Sequence, residues 1–163
     1  MGEPSYHLSS SDIRRFKAFW HDYRSDAPGR DDYLGLPARR LKTGVERSAP
    51  EDSLVDFVIG LESLLSKPEE QTELRYRFAI RGAVLLAKTR SERYDRFKEL
   101  QAVYDLRSSV VHGRRVQHER LETLAKVAEE SLREVWRSYF SHHPDASNAD
   151  RPIDEIDKRL LQN

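Results

Sequence analysis

Hydrophobic positions recur at three- and four-residue intervals almost from end to end of this chain, and no segment alternates with period two over a useful length. The pattern predicts helices. Ser9 to Ser11 offer caps ahead of Ile13, Phe16, Phe19, Trp20 and Tyr23, which share one face of a helix near 10–24. Charged residues mixed with Gly and Pro from Ser25 to Gly35 read as a loop, and Pro37 suits the first turn of a short helix near 37–47 carrying Ala38, Leu41 and Val45. After a break at Ser48-Ala49-Pro50, Glu51 and Asp52 put negative charge at the favourable end of a helix near 51–66. Its apolar stripe is Leu54, Phe57, Val58, Leu61, Leu64 and Leu65. Leu74, Phe78, Val84, Leu85 and Leu86 mark a helix near 70–88. Tyr94, Phe97, Leu100, Tyr104 and Val111 form the stripe of another near 91–112, with Gly113 placed to act as its left-handed cap. The last long helix, near 117–140, turns Leu121, Leu124, Ala128, Leu132, Val135, Trp136 and Tyr139 inward, and Ile153, Ile156 and Leu160 suggest a short amphipathic helix over 152–161.

The fold expected is therefore an all-α, antiparallel helical bundle of about six helices. Residues 1–36 would be an N-terminal helix and loop packed on it, 37–140 the core, and 141–163 a mobile tail with a short helix. Composition adjusts this picture in two ways. Leu, Ile, Val and Phe together number 39 of 163 residues, so the core must be assembled from narrow stripes on charged helices. The charges balance, 28 basic against 28 acidic, so any nucleic-acid site must be a local patch and not a globally basic surface. Arginine outnumbers lysine 21 to 7, and arginine suits bidentate contacts to phosphate and carboxylate. No apolar run is long enough to span a membrane and no leader pattern opens the chain, so a cytoplasmic protein without membrane contact is expected. Without cysteine there is no disulfide framework and no thiolate metal site.

The most specific stretch is Tyr104-Asp105-Leu106-Arg107-Ser108-Ser109-Val110-Val111-His112-Gly113, an arginine and a histidine five residues apart at the end of a long helix. Glu51 to Leu65, with its acidic start and its Leu61-Glu62-Ser63-Leu64-Leu65 ending, and Arg77 to Leu86 are two further motifs in order. Over about residues 37–140 the chain resembles the HEPN superfamily, and within it the Apea-like HEPN domains. The resemblance implies a HEPN-type bundle and a homodimer. It also implies a metal-independent endoribonuclease site, without cofactor, in which Arg107 and His112 are catalytic where two protomers meet, in phage defence or toxin-like regulation. Many HEPN domains instead bind nucleotides or mediate assembly without cleavage, and Apea-like domains often belong to longer proteins whose other domains would be partners.

The chemistry fits those residue types. RNA brings its own nucleophile, the 2′-hydroxyl, so cleavage needs proton transfer and stabilisation of phosphate charge. An imidazole exchanges protons near neutrality, and a guanidinium can hold phosphoryl oxygens. Five helical positions correspond to about 140° of rotation, so Arg107 and His112 do not share a face. Either the helix end turns His112 back, or copies from two chains converge. Ser108 stands where catalytic members often carry asparagine and can hydrogen-bond a phosphate or the arginine. Tyr104, Asp105, Ser108 and Glu62 are supporting candidates. The purely structural reading makes His112 a helix-end complement to the last carbonyls, and pairs Arg107 with Glu62 or Asp105.

Glu62 lies on an apolar stripe, where a lone carboxylate is costly, so an ion pair with Arg81 or Arg107 is expected. Arg114, Arg115 and Arg120 form a basic cluster beside the candidate site, suited to single-stranded RNA or a nucleotide. His142-His143-Pro144-Asp145 lacks the spacing of a closed metal site, and no metal is expected. Glycine-rich phosphate loops, Gly-x-Ser-x-Gly and His-Glu-x-x-His are absent.

Overall fold

The computed structural model describes residues 9–11, 13, 14, 17, 34–142 and 152–161. Its elements are α1 (Gly35–Glu46), α2 (Pro50–Leu65), α3 (Leu74–Leu86), α4 (Arg90–Val111), α5 (His118–His142) and α6 (Pro152–Leu161), with no strand among the described residues. The protein is an all-α helical bundle. Ser10, Ser11, Ile13, Arg14 and Lys17 are helical; the rest of the helix expected near 10–24 lies outside the described residues.

The bundle is built around α2, which packs on α1, α3, α4 and α5. Leu54, Phe57, Val58, Leu61, Leu64 and Leu65 are all buried there, each contributing roughly 1.5–3 kcal/mol by leaving water. Phe78, Leu100, Val103, Leu106, Leu121, Ala128, Leu132 and Val135 close around them. Helix α1 lies so near α2 that a Cβ on Gly44 would stand 2.4 Å from the Phe57 ring, and a rigid ring at that distance permits only glycine. Asp56, 2% exposed, ties the same two elements together: its carboxylate accepts from Arg40 Nη1 at 2.8 Å and from Arg47 Nε at 3.0 Å. Leu34 is buried at the start of α1, and its carbonyl accepts from the Trp136 indole at 3.2 Å.

Helix α3 starts at Leu74, later than the apolar pattern suggests, because the preceding loop is occupied otherwise. Glu73 adopts a left-handed backbone at φ 56°, and the Glu70 carboxylate accepts from the Lys67 N–H, Arg77 and Arg81. The short amphipathic helix expected over 152–161 is present as α6 and is docked on α3, with Ile153 and Ile156 buried; residues 143–151 of the tail expected to be mobile lie outside the described residues. Arg81, 2% exposed, forks to Glu70 at 2.6 and 2.7 Å, forks to Asp157 at 2.8 Å twice, and donates to the Leu65 carbonyl. Lys67 reaches Asp154 at 2.5 Å and Asp157 at 3.0 Å. Arg81 is thus committed to the α6 clamp and is not the partner of Glu62.

The fork from Arg81 holds the Glu70 carboxyl at about 2, against the opposing effect of burial. Burial opposes ionisation of Asp157 too, yet the bonds from Arg81 and Lys67 outweigh it and lower its pKa. Depressed carboxylates stabilise the fold fully above their ordinary range, and lose that contribution as pH falls through the folded value. Stability should therefore drop between about pH 4 and pH 2 as the clamp protonates. Arg81→Met should cost about 2–3 kcal/mol in urea denaturation at pH 7, below the range for breaking a fully enclosed pair because Arg77 and Lys67 still reach Glu70 and Asp157, and should flatten that acid transition. An unchanged midpoint in Arg81→Met would show that the clamp contributes nothing.

Candidate functional site

Helix α4 is defined at both ends by local bonds. At its start the Thr89 hydroxyl accepts the Glu92 N–H at 3.2 Å. At its end Gly113 adopts φ +66°, the Gly113 N–H bonds the Val110 carbonyl, and the Arg114 N–H bonds the Ser109 carbonyl, both at 2.9 Å. This paired closure is the Schellman arrangement, and it satisfies carbonyls that the helix would otherwise leave open. His112 therefore sits one residue past α4, exposed, with its N–H still bonded to the Ser108 carbonyl. Because α4 continues through Val111, the rotation of about 140° between Arg107 and His112 persists and the two diverge within one chain.

The residues singled out by sequence fall into two groups. On the α2–α4 side, Arg107 Nη2 meets Glu62 Oε2 at 3.5 Å, with the two side chains 27% and 26% exposed. The pair is half-buried, not the fully enclosed one that the apolar stripe suggests. Burial raises the Glu62 pKa although Arg107 pulls it down. Arg107 Nε is shut off from solvent and makes no hydrogen bond. Tyr104 packs on Phe78 at 5.3 Å between ring centroids, its hydroxyl pKa raised by burial and by the Glu62 charge. Ser108 is half-buried beside them in sequence.

The second group lines a cleft of about 330 Å³ where α4 turns into α5. Asp105, Leu106 and Ser109 come from α4, Arg114 to Gln117 from the turn, and Arg120 from the first turn of α5. Asp105 and Ser109 share a helix face, whereas Arg107 points about 160° from either. Asp105, the one carboxylate in the lining, is held by Arg75 in a fork at 2.6 and 2.7 Å, so it partners neither Arg107 nor the cleft arginines. Arg114, Arg115 and Arg120 are exposed and pair with no carboxylate among the described residues. The α5 N-terminus, whose dipole favours anions, opens on the same side. Sequence spacing pointed to these three arginines but not to Arg75, which arrives from a different helix. Among the described residues no group of His, Asp and Glu could hold a metal, and His143 to Asp145 lie outside them. No helix among the described residues is long and apolar enough to cross a membrane.

Comparison with known proteins finds no matching family model, curated protein or solved structure. The HEPN resemblance therefore rests on the motifs themselves.

A carboxyl whose folded pKa is raised contributes most when protonated, and its contribution falls as pH rises through the folded value. Glu62→Gln should therefore flatten the loss of stability that sets in as pH rises above the ordinary glutamate range. Glu62→Ala should cost about 1 kcal/mol at pH 7, since a half-exposed Arg107 can turn to water. A loss of 3 kcal/mol or more, the range of about 3–5 for breaking an enclosed pair, would contradict this geometry.

Proposed function

We propose that this chain is an RNA-directed domain in which two copies form a metal-independent endoribonuclease. The observation that carries the reading is the arginine cleft: Arg114, Arg115 and Arg120 surround a space whose one carboxylate is already neutralised. Such a surface favours phosphates, and it adjoins the helix that carries Arg107 and the exposed end that carries His112. Arg107 supports the reading from the other side. Its single long ion pair and its orphaned Nε leave a guanidinium poorly satisfied by its own chain.

In the reaction, a base takes the proton of an RNA 2′-hydroxyl, and that oxygen attacks the adjacent phosphorus. The 5′-oxygen of the next nucleotide leaves and receives a proton, so the products are a 2′,3′-cyclic phosphate and a 5′-hydroxyl. His112 is the proton-transfer group, Arg107 stabilises the phosphoryl oxygens, and the cleft arginines hold neighbouring phosphates. The divergence of Arg107 and His112 supports a composite site to which each of two protomers contributes one of them.

The test is complementation. Wild-type protein should cut single-stranded RNA in EDTA and leave cyclic phosphate ends. His112→Ala and Arg107→Ala should each lose activity by roughly 10²–10⁴-fold with helicity unchanged. Mixing the two variants should restore roughly a quarter of wild-type activity, because half the dimers then hold one intact site of two. Each variant inactive and the mixture inactive would refute the composite arrangement. A wild type that leaves RNA uncut but self-associates through this end of α4 would favour an interaction module.

A further inference from the structure

The outer side of α4 is unusual in what it shows to solvent. Leu100, Val103 and Leu106 point into the core, and at about 100° per residue the opposite side carries Arg90, Tyr94, Lys98, Gln101, Asp105 and Ser109. Tyr94 was expected in the apolar stripe of this helix, but it is 62% exposed, and Lys98 Nζ stands 5.2 Å from its ring centroid. On α3, Tyr76 is 52% exposed and braced edge-on by Phe97, three residues along α4 from Tyr94, at 5.7 Å and 72° between planes. The carboxylates nearby are engaged elsewhere: Glu92 with the Lys88 N–H, Glu99 with Arg96, Asp105 with Arg75. Asp95 lies about 100° around the helix from Tyr94.

The stripe ends at Asp105 and Ser109, which line the arginine cleft. From Tyr94 to Asp105 is eleven residues, or about 17 Å along the helix axis. We propose that this face is a base-stacking platform for single-stranded RNA, whose backbone continues along α4 into the arginine cleft; the proposal rests on the cleft being an RNA phosphate site. Two solvent-facing tyrosines, one braced by Phe97 and the other carrying Lys98 over its ring, offer π-faces to unpaired bases and positive charge to the phosphates that join them. A duplex hides its base faces, so the ligand class is an unpaired strand.

The test uses strands of about ten 2′-O-methyl nucleotides, which lack the attacking hydroxyl, and an abasic strand of equal length and charge. Wild-type protein should bind the base-bearing strand about 5- to 100-fold more tightly than the abasic one. Tyr76→Ala with Tyr94→Ala should erase that difference without weakening abasic binding, and Tyr76→Phe with Tyr94→Phe should restore it. If the alanine variants keep the full preference while Arg115→Ala weakens both strands, the platform is refuted and the cleft stands. If wild-type protein binds neither strand, the cleft reading itself fails. Alanine variants that lose self-association in sedimentation, with RNA binding intact, would assign the face to protein and overturn the platform.

Discussion

The position at which α4 stops controls everything this molecule presents at its candidate site. Gly113 takes the left-handed conformation that would strain a residue bearing a Cβ, by about 1 kcal/mol, and the two N–H groups after His112 fold back on Val110 and Ser109. Were the helix to continue, Arg114 and Arg115 would wind around its cylinder. Instead the chain crosses to α5, and Arg114, Arg115 and Arg120 meet over one space at a helix N-terminus. His112 lies exposed one residue past that stop, and five helical positions turn Arg107 about 140° from it, toward Glu62. One backbone conformation thus gathers three arginines next to two motif residues that helical spacing has already turned apart.

The scaffold that holds this turn compensates for a modest apolar content with enclosed charge. Asp56 joins α1 to α2 through two arginines, and Arg81 joins α3, the loop before it and α6 through two carboxylates, with Lys67 balancing the second. Enclosed ions gain little net energy over well-packed apolar groups, but removing one partner is costly, so such clamps act mainly on which arrangement forms. They account for a chain that is 34% charged yet folds around one continuous core. They also explain why the arginine excess does not translate into a basic surface. Arg40, Arg47, Arg75, Arg77 and Arg81 are all occupied by carboxylates, whereas the three arginines gathered at the cleft are not.

Legibility in the sequence follows the range of the interactions. Helices ended by local chemistry were readable: Gly113 as a left-handed cap, Pro50 with Glu51 and Asp52 at a helix start. The start of α3 was not, since it depends on Glu70 being held by Arg81 eleven residues on. Docking of α6 was hidden because Asp157 and Arg81 are 76 residues apart. Glu62 was identifiable as needing a cation from its apolar neighbours, but periodicity could not choose between Arg81 and Arg107. Tyr94 and Val111 match the spacing of an apolar stripe, yet α4 turns Leu100, Val103 and Leu106 to the core, which points Tyr94 away from it, and the two are 62% and 55% exposed. The arginine cluster was legible as charge; the pairing of Asp105 with Arg75, which leaves the cleft arginines without a carboxylate partner, was not.

The account stands or falls on phosphate binding in the α4–α5 cleft, and counter-ion release measures that directly. Affinity for an uncleavable single-stranded RNA should fall with salt along a log–log slope of about −2 or steeper, the value for three phosphates neutralised on a single strand. Replacing Arg115 by alanine should make the slope shallower by about 0.7, one contact's worth. A slope near zero, or one that Arg115→Ala leaves unchanged, would contradict the assignment.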